Sequence, residues 1–275
     1  MPQIKAKIVY NKKVKENYWC CVFNAPEVVK KASPGQFLNI RVEDKELLLR
    51  RPFSIHGIQG SGLGIIYEVL GKGTKYLSRR KPGEYLDIIG PLGNGFDYKT
   101  QGCQGTMVPV LVAGGMGVAP LFFLAEKLRE NQNPKSKIQN VVLIGAKTKN
   151  HILCEKEFKA AGFDVRIATD DGSRGFKGYV SELLEKILSA DLRHVQSASS
   201  KDAERSRGIY ACGPKPMLKE ICRISRKYGL SSQVSLEEHM ACGIGACFGC
   251  VAETKEGYKR VCKDGPVFKA DDLIW

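Results

Sequence analysis

Several features are missing from this 275-residue chain, and each absence closes off a class of function. No run of eighteen apolar residues occurs, so no segment reads as a membrane-spanning helix. The polar start MPQIKAKIVYNKK lacks the apolar core of a secretory leader, and a cytoplasmic location is the expectation. The four histidines, His56, His151, His194 and His239, form no ligand-spaced pair, so no histidine metal site is expected. Nothing repeats internally. The net charge of +14 comes without any nucleic-acid motif, and its lysines and arginines are scattered rather than gathered in one tract. A generally basic surface, suited to anionic cofactors or an acidic partner, is the simpler reading.

What is present reads as a globular protein, with 43% hydrophobic and 26% charged residues. The length suits two domains and a small appendage. Residues 1–98 hold short β segments, QIKAKIVY, NYWCCVFN, GQFLNIRV, RPFSIHGI, LGIIYEVL and EYLDIIG, separated by turn signals such as SPG, GSG and KPG. Without a long helical pattern, that spacing predicts a small antiparallel barrel. Character changes near QGCQGT. Over 104–235, apolar strands (MVPVLVA, NVVLIGA, DVRIATD, GIYACG) alternate with helices, including one whose Leu121, Leu124, Ala125 and Leu128 line a single face. This alternation predicts a doubly wound parallel sheet. Residues 189–208 are polar and Ser-rich and read as an exposed insertion. Residues 236–275 are too few for a core of their own and need a staple.

The cysteines supply one. ACGIGACFGC (241–250) puts three cysteines and three glycines into ten positions, and Cys262 follows. The spacing Cys242-x4-Cys247-x2-Cys250…Cys262 crowds three ligands into one loop, as in plant-type [2Fe–2S] sites; structural zinc usually takes two separated pairs. Gly243, Gly245 and Gly249 are expected to let the loop turn its N–H groups toward an anionic cluster. A zinc site and a disulfide pair are the weaker alternatives. Cys20, Cys21, Cys103, Cys154 and Cys222 are isolated and read as packing residues.

Two segments of the first domain are suited to phosphate. In Arg51-Pro52-Phe53-Ser54 the arginine can hold a pyrophosphate, the ring can cover an aromatic system and the hydroxyl can meet a flavin edge. In Lys72-Gly73-Thr74-Lys75 the glycine lets backbone N–H groups approach phosphate, with a hydroxyl and two charges beside it. An ordinary core phenylalanine and glycine turn would look the same, but together and in this order they favour a flavin. Gly114, Gly115 and Gly117 (GGMGVAP) end a buried strand and open a helix, where a dinucleotide pyrophosphate would meet a helix N-terminus. Cys212-Gly213-Pro214 follows a later strand in the same way. Neither is G-x-G-x-x-G, and tight strand-to-helix packing is the alternative.

In combination, R-P-F-S, GxGT, GGMGVAP and ACGPKPM resemble the ferredoxin–NADP reductase superfamily over about residues 1–230. The tail, EEHMACGIGACFGCV closing with RVCKDGPVF, resembles the electron-transfer subunits of dihydroorotate dehydrogenase B. The resemblance implies an FAD-binding barrel, an NAD-binding α/β domain and a [2Fe–2S] domain. It also implies a catalytic partner subunit holding FMN, in a heterotetramer. By position, Arg51, Pro52, Phe53, Ser54, Tyr67, Glu68, Val69, Gly73 and Thr74 would contact FAD. Gly114, Gly115, Gly117, Cys212 and Gly213 would line the nicotinamide site, and Cys242, Cys247, Cys250 and Cys262 would ligate the cluster. The chain departs from the pattern in its insertion near 190–206 and at Phe53, where a tyrosine or smaller residue is common.

A nicotinamide exchanges two electrons at once and an iron–sulfur cluster one, so a flavin must stand between them. The implied route runs from a partner's FMN through the cluster and FAD to NAD, in pyrimidine biosynthesis. Dihydroorotate oxidation falls to the partner, because no general base in a substrate pocket is evident here. A subunit of another ferredoxin- or sulfur-linked reductase is the alternative, and a zinc-bearing nucleic-acid module a remote one. Lys147 and Arg174 leave NAD against NADP open.

Overall fold

The computed structural model describes residues 2–42, 48–98, 108–131, 140–195 and 207–275. These residues pack as two compact units, one of residues 1–95 with 237–267, the other of 96–236 with 268–275. The cysteine segment is therefore built into the first unit instead of standing as a third body, since so short a piece lacks a core of its own. Cys103 and most of the polar insertion lie outside the described residues.

In the first unit, β1 (Gln3–Lys15), β2 (Tyr18–Asn24), β3 (Phe37–Ile40), β4 (Arg51–Ser54), β5 (Gly57–Gln59), β6 (Gly62–Glu68) and β7 (Tyr85–Leu92) form one sheet. Its order is β4-β3-β7-β1-β2-β6-β5, and every pairing is antiparallel. β1 shows why: Ala6 and Ile8 are buried while Lys5, Lys7 and Val9 are exposed, the period of a half-buried strand. The R-P-F-S stretch stops at Ser54, and β5 resumes at Gly57, so the one strand expected over RPFSIHGI is two. As an end strand of the sheet, β4 tolerates Pro52, which has no N–H to donate. Among the described residues, the helices α1 (Pro26–Val29) and α2 (Lys72–Ser78) join these strands.

The second unit holds β8 (Val108–Gly114), β9 (Val141–Ala146), β10 (Asp164–Thr169), β11 (Phe176–Lys177), β12 (Arg207–Cys212) and β13 (Ser232–Ser235). Its sheet runs β11-β10-β9-β8-β12-β13-β16, where β16 (Val267–Lys269) comes from the chain's last residues. The pairings from β11 through β13 are parallel, and β8 is buried along nearly its whole length, as a sheet covered on both faces requires. Helices α3 (Val118–Glu130), α4 (Glu155–Ala160), α5 (Val180–Val195) and α6 (Lys215–Lys227) connect these strands. In α6 the buried residues Leu218, Ile221, Cys222 and Ser225 recur at helical spacing, leaving the lysines and arginines outside. Arg226 of α6 donates to the carbonyls of Ala270 and Leu273, fastening the chain's end to this unit. A hairpin of β14 (Val251–Thr254) and β15 (Gly257–Arg260) follows the cysteine loop in the first unit.

Candidate cofactor sites

Arg50 and Arg51 are adjacent but have different duties. Arg50 is half-buried and donates from Nη2 to Asp87 Oδ2 at 2.9 Å and from Nη1 to the Asp87 carbonyl at 3.0 Å, locking β4 to the sheet. Arg51 bonds, among the described residues, only to the carbonyls of Leu49 and Arg50, so its fork is not bound to a carboxylate there. Its shaft crosses Gly73: a Cβ on that glycine would fall 3.2 Å from Arg51 Nε. The fold thus brings together the two segments singled out for phosphate, although 21 residues lie between Arg51 and Gly73. Gly73 and Thr74 stand in the first turn of α2, where main-chain N–H groups have no partner within the helix. The Thr74 hydroxyl is committed: it accepts from the N–H of Leu70 and of Gly71.

Phe53 packs edge-on against Tyr67, ring centroids 5.8 Å apart. Both rings are buried, and the Tyr67 hydroxyl donates to Asn11 Oδ1 at 3.0 Å. Burial, then the thiols of Cys21 and Cys20, raise the Tyr67 phenol far above its ordinary range against the opposing bond to Asn11. The Tyr67 side chain is therefore a core group, and the Val69 N–H is bound to the Asn17 carbonyl. Ser54 is half-buried at the end of β4, opposite Phe37.

β8 and β12 are neighbours, and chain order reverses between them, which is the crevice position for ligands in an open parallel sheet. Both glycine turns sit there and touch. A Cβ on Gly117 would fall 1.9 Å from the Cys212 carbonyl oxygen, and one on Gly213 3.0 Å from the Gly114 Cα. Gly114 is pressed by Met217 and Pro214. These three glycines serve close packing, the alternative reading of the turn. Gly115 differs: its φ is +54° and a Cβ there would meet nothing within 4 Å, leaving its backbone open to a ligand. Cys212 is buried, and its main-chain carbonyl faces Gly117 in the turn. Of the two cations considered for a 2′-phosphate, Arg174 is paired with Glu155 at 2.7 Å.

The four cysteines of the tail converge. Cys250 and Cys262 are buried, Cys242 is half-buried and Cys247 exposed. The sulfurs stand as two pairs, Cys242 beside Cys247 and Cys262 beside Cys250. Backbone N–H groups are aimed at them: Gly245 N lies 3.1 Å from Cys262 Sγ, Cys247 N 3.4 Å and Ile244 N 3.5 Å from Cys242 Sγ, and Cys262 N 3.4 Å from Cys250 Sγ. Among the described residues, no group of three or more His, Cys, Asp or Glu side chains gathers around a single ion position. Four thiols in two pairs, cradled by N–H donors, fit an anionic two-iron cluster. At Cys242 burial opposes ionisation, but the N–H groups of Ile244, Cys247 and Ala246 and the Cys247 thiol outweigh it, bringing the thiol down to about 6. At Cys262 burial, then the bond to Cys250, pushes the thiol up to about 12.

Gly243 and Gly245 have φ of +69° and +84°, as expected, but the third left-handed residue of the loop is Phe248 at +57°, not Gly249. Arg260 braces this strained turn with its guanidinium 4.7 Å from the Phe248 ring centroid. It also donates to the Gly245 carbonyl at 3.0 Å and pairs with Asp264 at 3.1 Å. Arg260 opens the RVCKDGPVF stretch, but its bracing role carried no signal in the sequence, because its partners are set by the loop's path rather than by spacing.

Comparisons with known proteins agree with this geometry. Residues 237–274 match the iron-sulfur cluster binding domain of dihydroorotate dehydrogenase B, and residues 111–223 the oxidoreductase NAD-binding domain. The dihydroorotate dehydrogenase B (NAD(+)) electron transfer subunit of Desulforamulus reducens is 39% identical over 98% of this chain and 97% of its own. That of Caldanaerobacter subterraneus is 38% identical over 99% of each. Among solved structures, an NADH-dependent reduced ferredoxin-NADP oxidoreductase has a TM-score of 0.79 and 29% identity over 98% of this chain and 90% of that one. A ferredoxin NADP+ reductase from Neisseria gonorrhoeae with bound FAD and NADP shares the fold alone, with a TM-score of 0.63 and 15% identity over 83% and 92%.

Proposed function

The chain belongs to the family of electron-transfer subunits of NAD-dependent dihydroorotate dehydrogenase B, and we propose that it connects a partner's FMN to NAD through [2Fe–2S] and FAD. It is an oxidoreductase subunit. The carrying observation is the loop of four thiols with N–H donors aimed at sulfur, in a chain whose parallel sheet opens at Gly115. Bound flavin supplies the exchange between two-electron hydride transfer and one-electron steps.

Each segment of the chain contributes position and charge. Arg51, passing over Gly73, is assigned to the flavin pyrophosphate, with the first turn of α2 supplying N–H donors at Gly73 and Thr74. Phe53 and the backbone of Tyr67, Glu68 and Val69 form the wall, and Pro52 and Ser54 the edge. Gly114, Gly115, Gly117, Cys212 and Gly213 form the nicotinamide turn, with Gly115 as the open position. Cys242, Cys247, Cys250 and Cys262 hold the cluster. This keeps three functional segments, 1–98, 104–235 and 236–275, within two compact units.

The partner is the catalytic subunit that oxidises dihydroorotate, in an assembly of two copies of each chain. Ile244, Phe248, Val251 and Tyr258 support a protein contact beside the cluster: all four are exposed apolar residues of the cysteine loop and its hairpin. No helix among the described residues is long and apolar enough to cross a membrane.

The test is reconstitution. The purified chain should show flavin bands with a broad iron–sulfur shoulder and oxidise NADH with dye acceptors. It should reduce NAD with dihydroorotate only after the FMN subunit is added. A colourless protein, or dihydroorotate turnover by this chain alone, would overturn the reading.

A further inference from the structure

Asn39 is a polar residue in an otherwise apolar strand, Phe37-Leu38-Asn39-Ile40, and is only 1% exposed. Its Nδ2 donates to the main-chain carbonyl of Cys242 at 2.9 Å. The amide also lies against the next residue of the loop, where a Cβ on Gly243 would fall 2.4 Å from Nδ2. In the β3–β4 ladder Asn39 stands opposite Pro52, inside R-P-F-S, and its own carbonyl accepts from Arg50. One side chain thus joins β3, the ladder partner of the strand assigned to flavin, to the first cysteine of the cluster loop.

Its Oδ1 is buried and has no hydrogen-bond partner among the described residues. The amide orientation follows from the carbonyl it faces, since a flip would set oxygen against oxygen. A buried amide with half its bonding capacity unused is a poor choice for stability alone, and a leucine would suit this strand's apolar neighbours. We propose that Asn39 is a positioning residue: it fixes the Cys242 end of the cluster loop against β3, the strand paired with the one assigned to flavin, and so sets the distance over which electrons pass between the two centres. The proposal rests on the flavin and cluster assignments above. Electron tunnelling falls off exponentially with distance, so a loop held at one main-chain carbonyl gives a steadier rate than one free to swing.

The experiment compares Asn39→Ala and Asn39→Leu with the parent chain. Asn39→Leu keeps a similar side-chain volume among the strand's apolar neighbours but loses the donor, so it serves should the alanine variant fold poorly. Iron and flavin content should stay at parental levels, because the thiols and the flavin contacts are intact. Anaerobic stopped-flow with NADH should show flavin reduction at the parental rate and cluster bleaching slowed roughly tenfold, the population change that loss of one such hydrogen bond allows. The reduced-cluster EPR lines should broaden as the loop samples more positions. Parental bleaching rates with unchanged EPR would overturn the proposal. So would iron or flavin loss matching the rate loss in both variants, which marks an ordinary structural residue. A parent chain without flavin or iron would instead defeat the functional reading beneath it.

Discussion

At Cys242 the loop's own N–H groups outweigh burial, and an ordinary thiol becomes an anion near neutrality. The linkage has a definite sign. The folded thiol titrates at about 6 against an ordinary value of 9.0, so its contribution to stability is full above about pH 9 and is lost as pH falls toward 6. In the iron-free chain, iodoacetamide should label Cys242 with a rate that rises to a plateau above about pH 6. Cys222, which burial pushes up to about 11, should stay unlabelled at pH 7 by mass spectrometry. Equal labelling of the two would refute the loop electrostatics. Cys250→Ser should remove or severely weaken iron binding while flavin stays, read as iron content and the reduced-state EPR signal. Arg51→Ala removes the charged contact proposed for the flavin phosphate and should weaken flavin by roughly 2–4 kcal/mol, on the order of thirty- to a thousand-fold, seen as flavin lost on dialysis.

Among the elements, the β8–α3 turn makes the sharpest distinction. Gly117→Ala would drive a methyl group into the Cys212 carbonyl, a contact between two main chains that no rotamer relieves. The two strands must then part, so the melting temperature should fall and NADH binding with it. Gly115→Ala meets open space, and its cost is the left-handed backbone, about 1–2 kcal/mol. It should fold nearly normally yet bind NADH more weakly if the ligand approaches that backbone. Calorimetry together with fluorescence titration separates the two glycines, and identical behaviour would remove the reason for treating Gly115 as the open position.

Across the whole molecule the prediction concerns division of labour. Cys250→Ser should abolish dihydroorotate-dependent NAD reduction in the mixture with the catalytic subunit, while sparing much of the NADH–dye activity. NAD reduction that survived loss of the cluster would mean that electrons bypass it. The experiment divides the cluster from the remaining electron route, a division that cuts across the packing: the segments assigned to flavin and cluster share one compact unit, and the turns assigned to nicotinamide lie in the other.

Much of this was legible in the amino-acid order because the signals are local. Strand-to-helix alternation, the C-x4-C-x2-C spacing and the glycine turns after buried strands each lie within a few residues, where chain geometry alone dictates the outcome. Helix α6 is one of the helices that the alternation called for, and its apolar face repeats at helical spacing. The remainder needed distant chain segments to meet. α2 was hidden inside a glycine turn, because seven residues carry little periodicity. That Tyr67 is a core ring, that Gly117 faces Cys212 and that Arg51 crosses Gly73 depend on contacts made only after folding. The sequence alone determined which chemistry the chain carries, since ligand type and spacing are covalent facts. Tertiary structure decided which residues are free to perform it, because burial, opposing carbonyls and the meeting of Asn39 with Cys242 exist only once strands far apart in the chain have paired.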